Sequence, residues 1–109
     1  MSASGVPPYV LFRTALDSGN LAWVRTLAAQ MPHIGLADAL GICLMMRDGD
    51  PGVLDRAAVR WLGRFALEAR GATIADIRRA AELLDFLQSE PEAAMEQLAQ
   101  LCVRFDLIR

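Results

Sequence analysis

The chain contains no lysine: all eleven of its basic residues are arginine. A Schiff-base amine and the lysine of a phosphate-binding P-loop are thereby excluded. Together with abundant alanine, this usage fits the coding bias of a GC-rich bacterial genome. There is one histidine, His33, and there are two cysteines, Cys43 and Cys102, far apart and without CxxC spacing. Metal centres need several such ligands at short spacing, and none is present. No Gly-rich phosphate loop and no Ser/His/Asp set can be found. Aromatic residues make up only 6% of the chain. The longest nearly uncharged run, Thr26 to Met46, is interrupted by Pro32, Gly35 and Asp38 and makes a poor membrane span. The opening MSASGVPPYV has neither the charged nor the apolar region of an export signal. These absences lead us to expect no enzymatic activity, no cofactor, no metal, no small-molecule substrate and no membrane partner. Reduced, buried cysteines in a cytoplasmic protein are the companion expectation.

What is present is apolar and helical. The chain has 109 residues, 54% of them hydrophobic and 22% charged, with a formal charge of −2. That length buries a core without staples, and that balance is too apolar for disorder. The small net charge supplies no long-range attraction to nucleic acid. Residues 1–70 hold seven arginines against six acids, whereas 71–109 hold four against seven.

Punctuation and periodicity predict an all-α protein, a single compact domain of five to six short antiparallel helices over 9–109 behind a flexible arm at 1–8. Ser18-Gly19 ends a first helix, and Asn20 caps a second that carries Leu21, Val24, Leu27, Ala28 and Met31 up to Pro32. The third, IGLADALGICLMM, is apolar almost all round. It is expected to be the most buried, through Leu36, Leu40, Cys43 and Leu44. Met45 and Met46 at its end suit either core filling or an adaptable surface. Asp50 is the expected N-cap of a fourth helix that starts at Pro51 and stops at Gly71. Asp48, Asp50 and Asp55 lack the alternating array of a calcium loop, so capping and turn formation account for them. Thr73 with Asp76, and Ser89 with Glu92, read as capping boxes for the fifth and sixth helices. Ile74, Ile77, Ala81 and Leu84 are the expected buried face of the fifth. Met95, Leu98, Cys102 and Phe105 are that of the sixth.

The fourth helix holds the feature that invites a function. With Leu54 at zero and 100° per residue, Leu54, Ala58, Trp61, Leu62, Phe65 and Ala69 form one stripe. Arg56, Arg60 and Arg64 lie nearly opposite, at about 200°, 240° and 280°. Val53 and Leu67 fall among them, which a purely solvated face does not favour. Like charges at i,i+4 cost about 0.2–0.5 kcal/mol per pair, so the ladder needs compensation. Glu68 can meet Arg64, in the weaker orientation. Asp85, Glu90, Glu92 and Glu96 are further candidates, within the chain or from a second copy. We therefore expect Val53, Arg56, Arg60, Arg64 and Leu67 to form a partner-binding face in a small adaptor or assembly module, binding another protein or itself. Phosphate contact through Arg56, Arg60 and Arg64, as in a nucleic-acid-associated regulator, is the alternative. No aromatic flanks the ladder for base stacking.

Two further patterns point less far. A helix-turn-helix over 71–95 would open its recognition helix with Glu90, Glu92 and Glu96, which DNA repels; Arg78 and Arg79 read instead as paired with Glu82. VRTLA from Val24 and VRWLG from Val59 repeat at an offset of 35 residues, near the period of helix-pair repeats. The echo does not continue, and shared helical composition explains it equally well.

Overall fold

The computed structural model describes residues 7–47 and 51–107. The chain is all-α. Six helices are described: α1 (Pro8–Ser18), α2 (Leu21–Ala28), α3 (Leu36–Met46), α4 (Pro51–Glu68), α5 (Ile74–Asp85) and α6 (Pro91–Arg104). Chain contacts divide it into two compact units, one ending at Ile34 and the other beginning at Gly35.

In the first unit α1 and α2 pack against each other. Pro8, expected in the arm, is the first residue of α1, where a proline forfeits no helical hydrogen bond. Residues 1–6 of the expected arm lie outside the described residues. Gly19 ends α1 at φ 75°, a left-handed conformation that suits glycine. The Asn20 side chain then accepts from the Trp23 amide at 3.1 Å and caps α2, as its position implies. The helix closes at Ala28, three residues short of the expected Met31. Its last turn tightens before the segment leading to Pro32, with Gln30 N–H donating to Leu27 and Met31 N–H to Ala28.

In the second unit each helix packs on the next, α3 on α4, α4 on α5 and α5 on α6, and α6 returns to α3. The four helices close around one apolar cluster. α3 contributes Leu36, Leu40 and Cys43; α4 contributes Leu54, Trp61 and Phe65; α6 contributes Ala94, Leu98 and Cys102. No residue of α3 is exposed, as a helix apolar on every side requires. Leu44, expected among its most buried residues, is only partly buried. Asp50, the expected cap of α4, lies outside the described residues. Gly71 (φ 81°) follows the end of α4 as expected.

The buried face of α5 is rotated from the expected one. Ala80, Leu83 and Leu84 are buried, and Leu87 continues the stripe. Ile77 and Ala81 flank it, while Ile74 is 74% exposed. Ile74 is the residue after the cap, on the first turn, and projects beyond the end of the cluster. The Thr73–Asp76 capping box is present in both directions: Thr73 Oγ1 accepts from Asp76 N at 3.2 Å, and Asp76 Oδ2 accepts from Thr73 N at 2.9 Å. The Ser89–Glu92 box does not form. Pro91 occupies the first helical position, which makes Glu90 the N-cap, and no side chain caps it. The 35-residue echo is no structural repeat either. Val24 is fully buried whereas Val59 is 70% exposed.

These two helix starts predict unequal costs. Thr73→Ala lowers stability in a denaturant titration by about 1 kcal/mol, and Ser89→Ala stays within about 0.5 kcal/mol of the parent. The Asp76 carboxyl is held below its ordinary value of 3.8, first by its bond from the Thr73 backbone and then by the Thr73 hydroxyl. A lowered folded-state value stabilises above the unfolded one. The contribution is therefore complete above pH 3.8 and is lost as pH falls through the lower folded value. Asp76→Asn removes that part of the acid dependence.

Candidate functional site

The geometry of the site follows from how α4 is held. Trp61 is buried, and its indole Nε1–H donates to the Leu36 carbonyl at the start of α3 over 2.8 Å. One turn on, Phe65 stacks on it, with ring centroids 5.5 Å apart and planes 8° from parallel. Phe105, just beyond α6, meets Phe65 edge-on at 5.7 Å. Two aromatic rings and one directed hydrogen bond thus fix the rotation of α4 about its axis. Its opposite side faces outward.

On that outer side Arg56 and Arg60 are exposed, and neither has an ion-pair partner among the described residues. Arg64 differs. It is half-buried, and its Nε donates to Glu68 Oε2 at 2.9 Å. Val53 is half-buried and Leu67 is 86% exposed. The five residues expected on one face do share it, but the ladder divides: Arg64 is satisfied within the helix, while Arg56 and Arg60 are open. The acids expected to compensate it, Asp85, Glu90, Glu92 and Glu96, are all exposed and make no ion pair with it.

Two features beside this face were not anticipated. Val59, between the core stripe and the ladder, is largely exposed. It helps line an open groove of about 600 Å³ that runs between α4 and α5. Leu54, Ala58 and Leu62 line it from α4, and Ala81 and Leu84 from α5. Asp55 and Asp85, both exposed, stand one on each side. Their signal in the sequence was present but divided. In the sequence Asp55 reads with the turn before α4, and Asp85 reads with the ladder.

Elsewhere Arg79, Arg104 and Arg47 are engaged, while Arg25, Arg70 and Arg78 are exposed like Arg56 and Arg60. Arg79 Nη2 donates to Gln97 Oε1, joining α5 to α6 rather than pairing with Glu82. Arg104 Nη1 meets Asp76 Oδ1 at 3.3 Å and lies 5.1 Å from the Phe105 ring centroid. Arg47 and Gln88 are bonded reciprocally, each side chain donating to the other's backbone carbonyl at 3.4 and 3.1 Å. His33 is exposed. Among the described residues no group of His, Cys, Asp and Glu could hold a metal ion, and no helix is long and apolar enough to cross a membrane. Comparison with protein-family models, with curated proteins and with solved structures finds no match.

Both cysteines are free and buried. Burial pushes the Cys43 thiol up to about 11. Burial, assisted by the charge of Glu68, does the same for Cys102. A thiol-reactive dye at pH 8 therefore labels both slowly in the native protein and rapidly in denaturant. Raised folded values also mean that stability is retained below the ordinary thiol value of 9.0. It declines as pH rises from there toward 11, and an alkaline thermal-unfolding series shows this as a falling midpoint.

Proposed function

We propose that the protein is a non-enzymatic interaction module of the cytoplasm that engages an acidic, partly apolar protein surface through the outer face of α4. One observation carries the reading: two guanidinium groups without an ion-pair partner among the described residues, Arg56 and Arg60, stand beside the large exposed aliphatic side chains Val59 and Leu67. Isolated surface arginines need no partner, and isolated exposed leucines are common. Their combination on a helix whose other side is locked into the core suits a protein interface, where arginine and aliphatic contacts occur together. Arginine offers forked donors to a carboxylate, and desolvating the aliphatic groups adds apolar burial.

The double variant Arg56→Glu, Arg60→Glu separates an interface from a solvated face. Folding stability stays within about 0.5 kcal/mol of the parent, because neither side chain bonds to another described residue. Association with the partner, measured by calorimetry, weakens at least tenfold, about 1.4 kcal/mol. Unchanged association overturns the assignment of this face. Salt-sensitive binding of duplex DNA by the parent, abolished in the variant, replaces the protein partner with phosphate.

A further inference from the structure

We infer that the occupant of this face is a second copy of the chain, its α4 parallel to the first across a two-fold axis, so that Arg56 and Arg60 of each copy meet the Asp55 and Asp85 that flank the other's groove. The inference rests on the interface reading above and supplies its partner.

Arg56, Arg60, Asp55 and Asp85 are all exposed, and none is in an ion pair among the described residues. The two signs are segregated. With Leu54 at zero, Asp55 falls at about 100°, on the groove side; Arg56 and Arg60 fall at about 200° and 240°. Asp85 adds a second negative charge on the groove side, from α5. Between Asp55 and Arg60 runs a strip containing Val59 and Gly63, at about 140° and 180°, with Arg56 and Leu67 on its basic margin at about 200° and 220°. Gly63 is exposed, and a Cβ built on it would find nothing within 4 Å, so another helix can approach closely there.

Symmetry decides how two such strips can meet. In an antiparallel pair the axis brings like edge to like edge, ladder against ladder and acid against acid. In a parallel pair the axis runs along the helices and exchanges the flanks, so each basic edge faces an acidic one. Only the parallel arrangement pairs the charges, and a closed two-fold interface does so twice. Helices pack with their axes about 8–10 Å apart, within reach of an arginine side chain. Val59 and Leu67 then contact their own counterparts near the axis, where residue i faces residue i; Arg56, at about 200°, lies there too, and its long side chain splays outward to bring its head to the carboxylates. The groove gains a lid of arginine stems, whose methylenes cover apolar surface while their heads reach the carboxylates. A charge-paired edge of this kind weakens with added salt.

Charge reversal with rescue tests the inference, read by sedimentation velocity. The parent chain dimerises, and its dissociation constant rises with salt. Arg56→Glu with Arg60→Glu in one chain, and Asp55→Arg with Asp85→Arg in another, each shift the dimer to monomer by at least tenfold in dissociation constant. Each repels itself. Mixed in equal amounts they form a heterodimer, since every edge in the mixture again faces its opposite. Circular dichroism of each variant verifies that both are folded before mixing. Direction is tested separately. Under mild oxidation a Leu67→Cys chain links to itself in the parallel pair. A parent that stays monomeric to its solubility limit overturns the second copy. So does a mixture that remains monomeric. A dimer in which the Leu67→Cys chains do not link overturns the parallel arrangement. If the monomeric parent binds a different, purified acidic protein and Arg60→Glu abolishes this, the interface reading stands and the second copy is rejected. The two claims therefore fail separately.

Discussion

The bond from the Trp61 indole to the Leu36 carbonyl is the constraint on which the second unit turns. A buried indole N–H needs an acceptor, and here the Leu36 carbonyl provides it. Using the carbonyl at the head of α3 ties the middle of α4 to the start of another helix. Magnitudes divide the labour. Burying a tryptophan removes about 150–250 Å² from water, worth roughly 4–6 kcal/mol before entropy is counted. The hydrogen bond adds a net 0.5–1.5 kcal/mol by ordinary estimates, about a quarter of that. Burial thus supplies the energy, and the bond supplies the direction. Stacking of Phe65 on Trp61 and the edge contact with Phe105 extend the same restraint along α4 and across to α6.

A helix fixed in rotation has a fixed outer face. With Trp61 and Phe65 inward, Arg56 and Arg60 point away from the core, and Arg64 sits at its margin. That placement explains why the ladder behaves as two groups. Arg64 is near enough to the half-buried Glu68 to form a bond within the helix. Arg56 and Arg60 have no acid one turn away on the same face. The groove is set by the same rotation: Leu54, Ala58 and Leu62 lie toward α5, where small Ala81 leaves space beside them. The acid-flanked groove and the arginine edge are consequently two sides of one helix, and the proposed self-pairing uses both.

Much of this was legible in the sequence where a pattern was long or locally enforced. The core stripe of α4 spans several turns, so Leu54, Trp61, Phe65 and Ala69 could be assigned inward from periodicity alone. Gly19, Asn20 and Thr73 act through neighbours three residues away or fewer, and their roles followed from residue type. Errors arose where a local rule met a second constraint. The α5 pattern starts at Ile74, which lies at the helix start and escapes the core. Ser89 looked like a cap until Pro91 claimed the first helical position and moved the cap to Glu90. Arg79 has a helical neighbour in Glu82, but α6 brings Gln97 within reach. The groove between α4 and α5 was invisible for the same reason, since Asp55 and Asp85 are brought to its two sides only by packing.

The central claim is that the Trp61 bond locks α4, and hydrogen exchange of the indole proton tests it most directly. Two tryptophans make the measurement self-referenced: Trp61 is 2% exposed, while Trp23 is only partly buried. Followed by nuclear magnetic resonance, the Trp61 Nε1–H should exchange only through global opening, with the free energy measured by denaturant, and Trp23 should exchange far sooner. Exchange of the Trp61 proton at a rate close to that of Trp23, in protein that remains folded, would contradict the account.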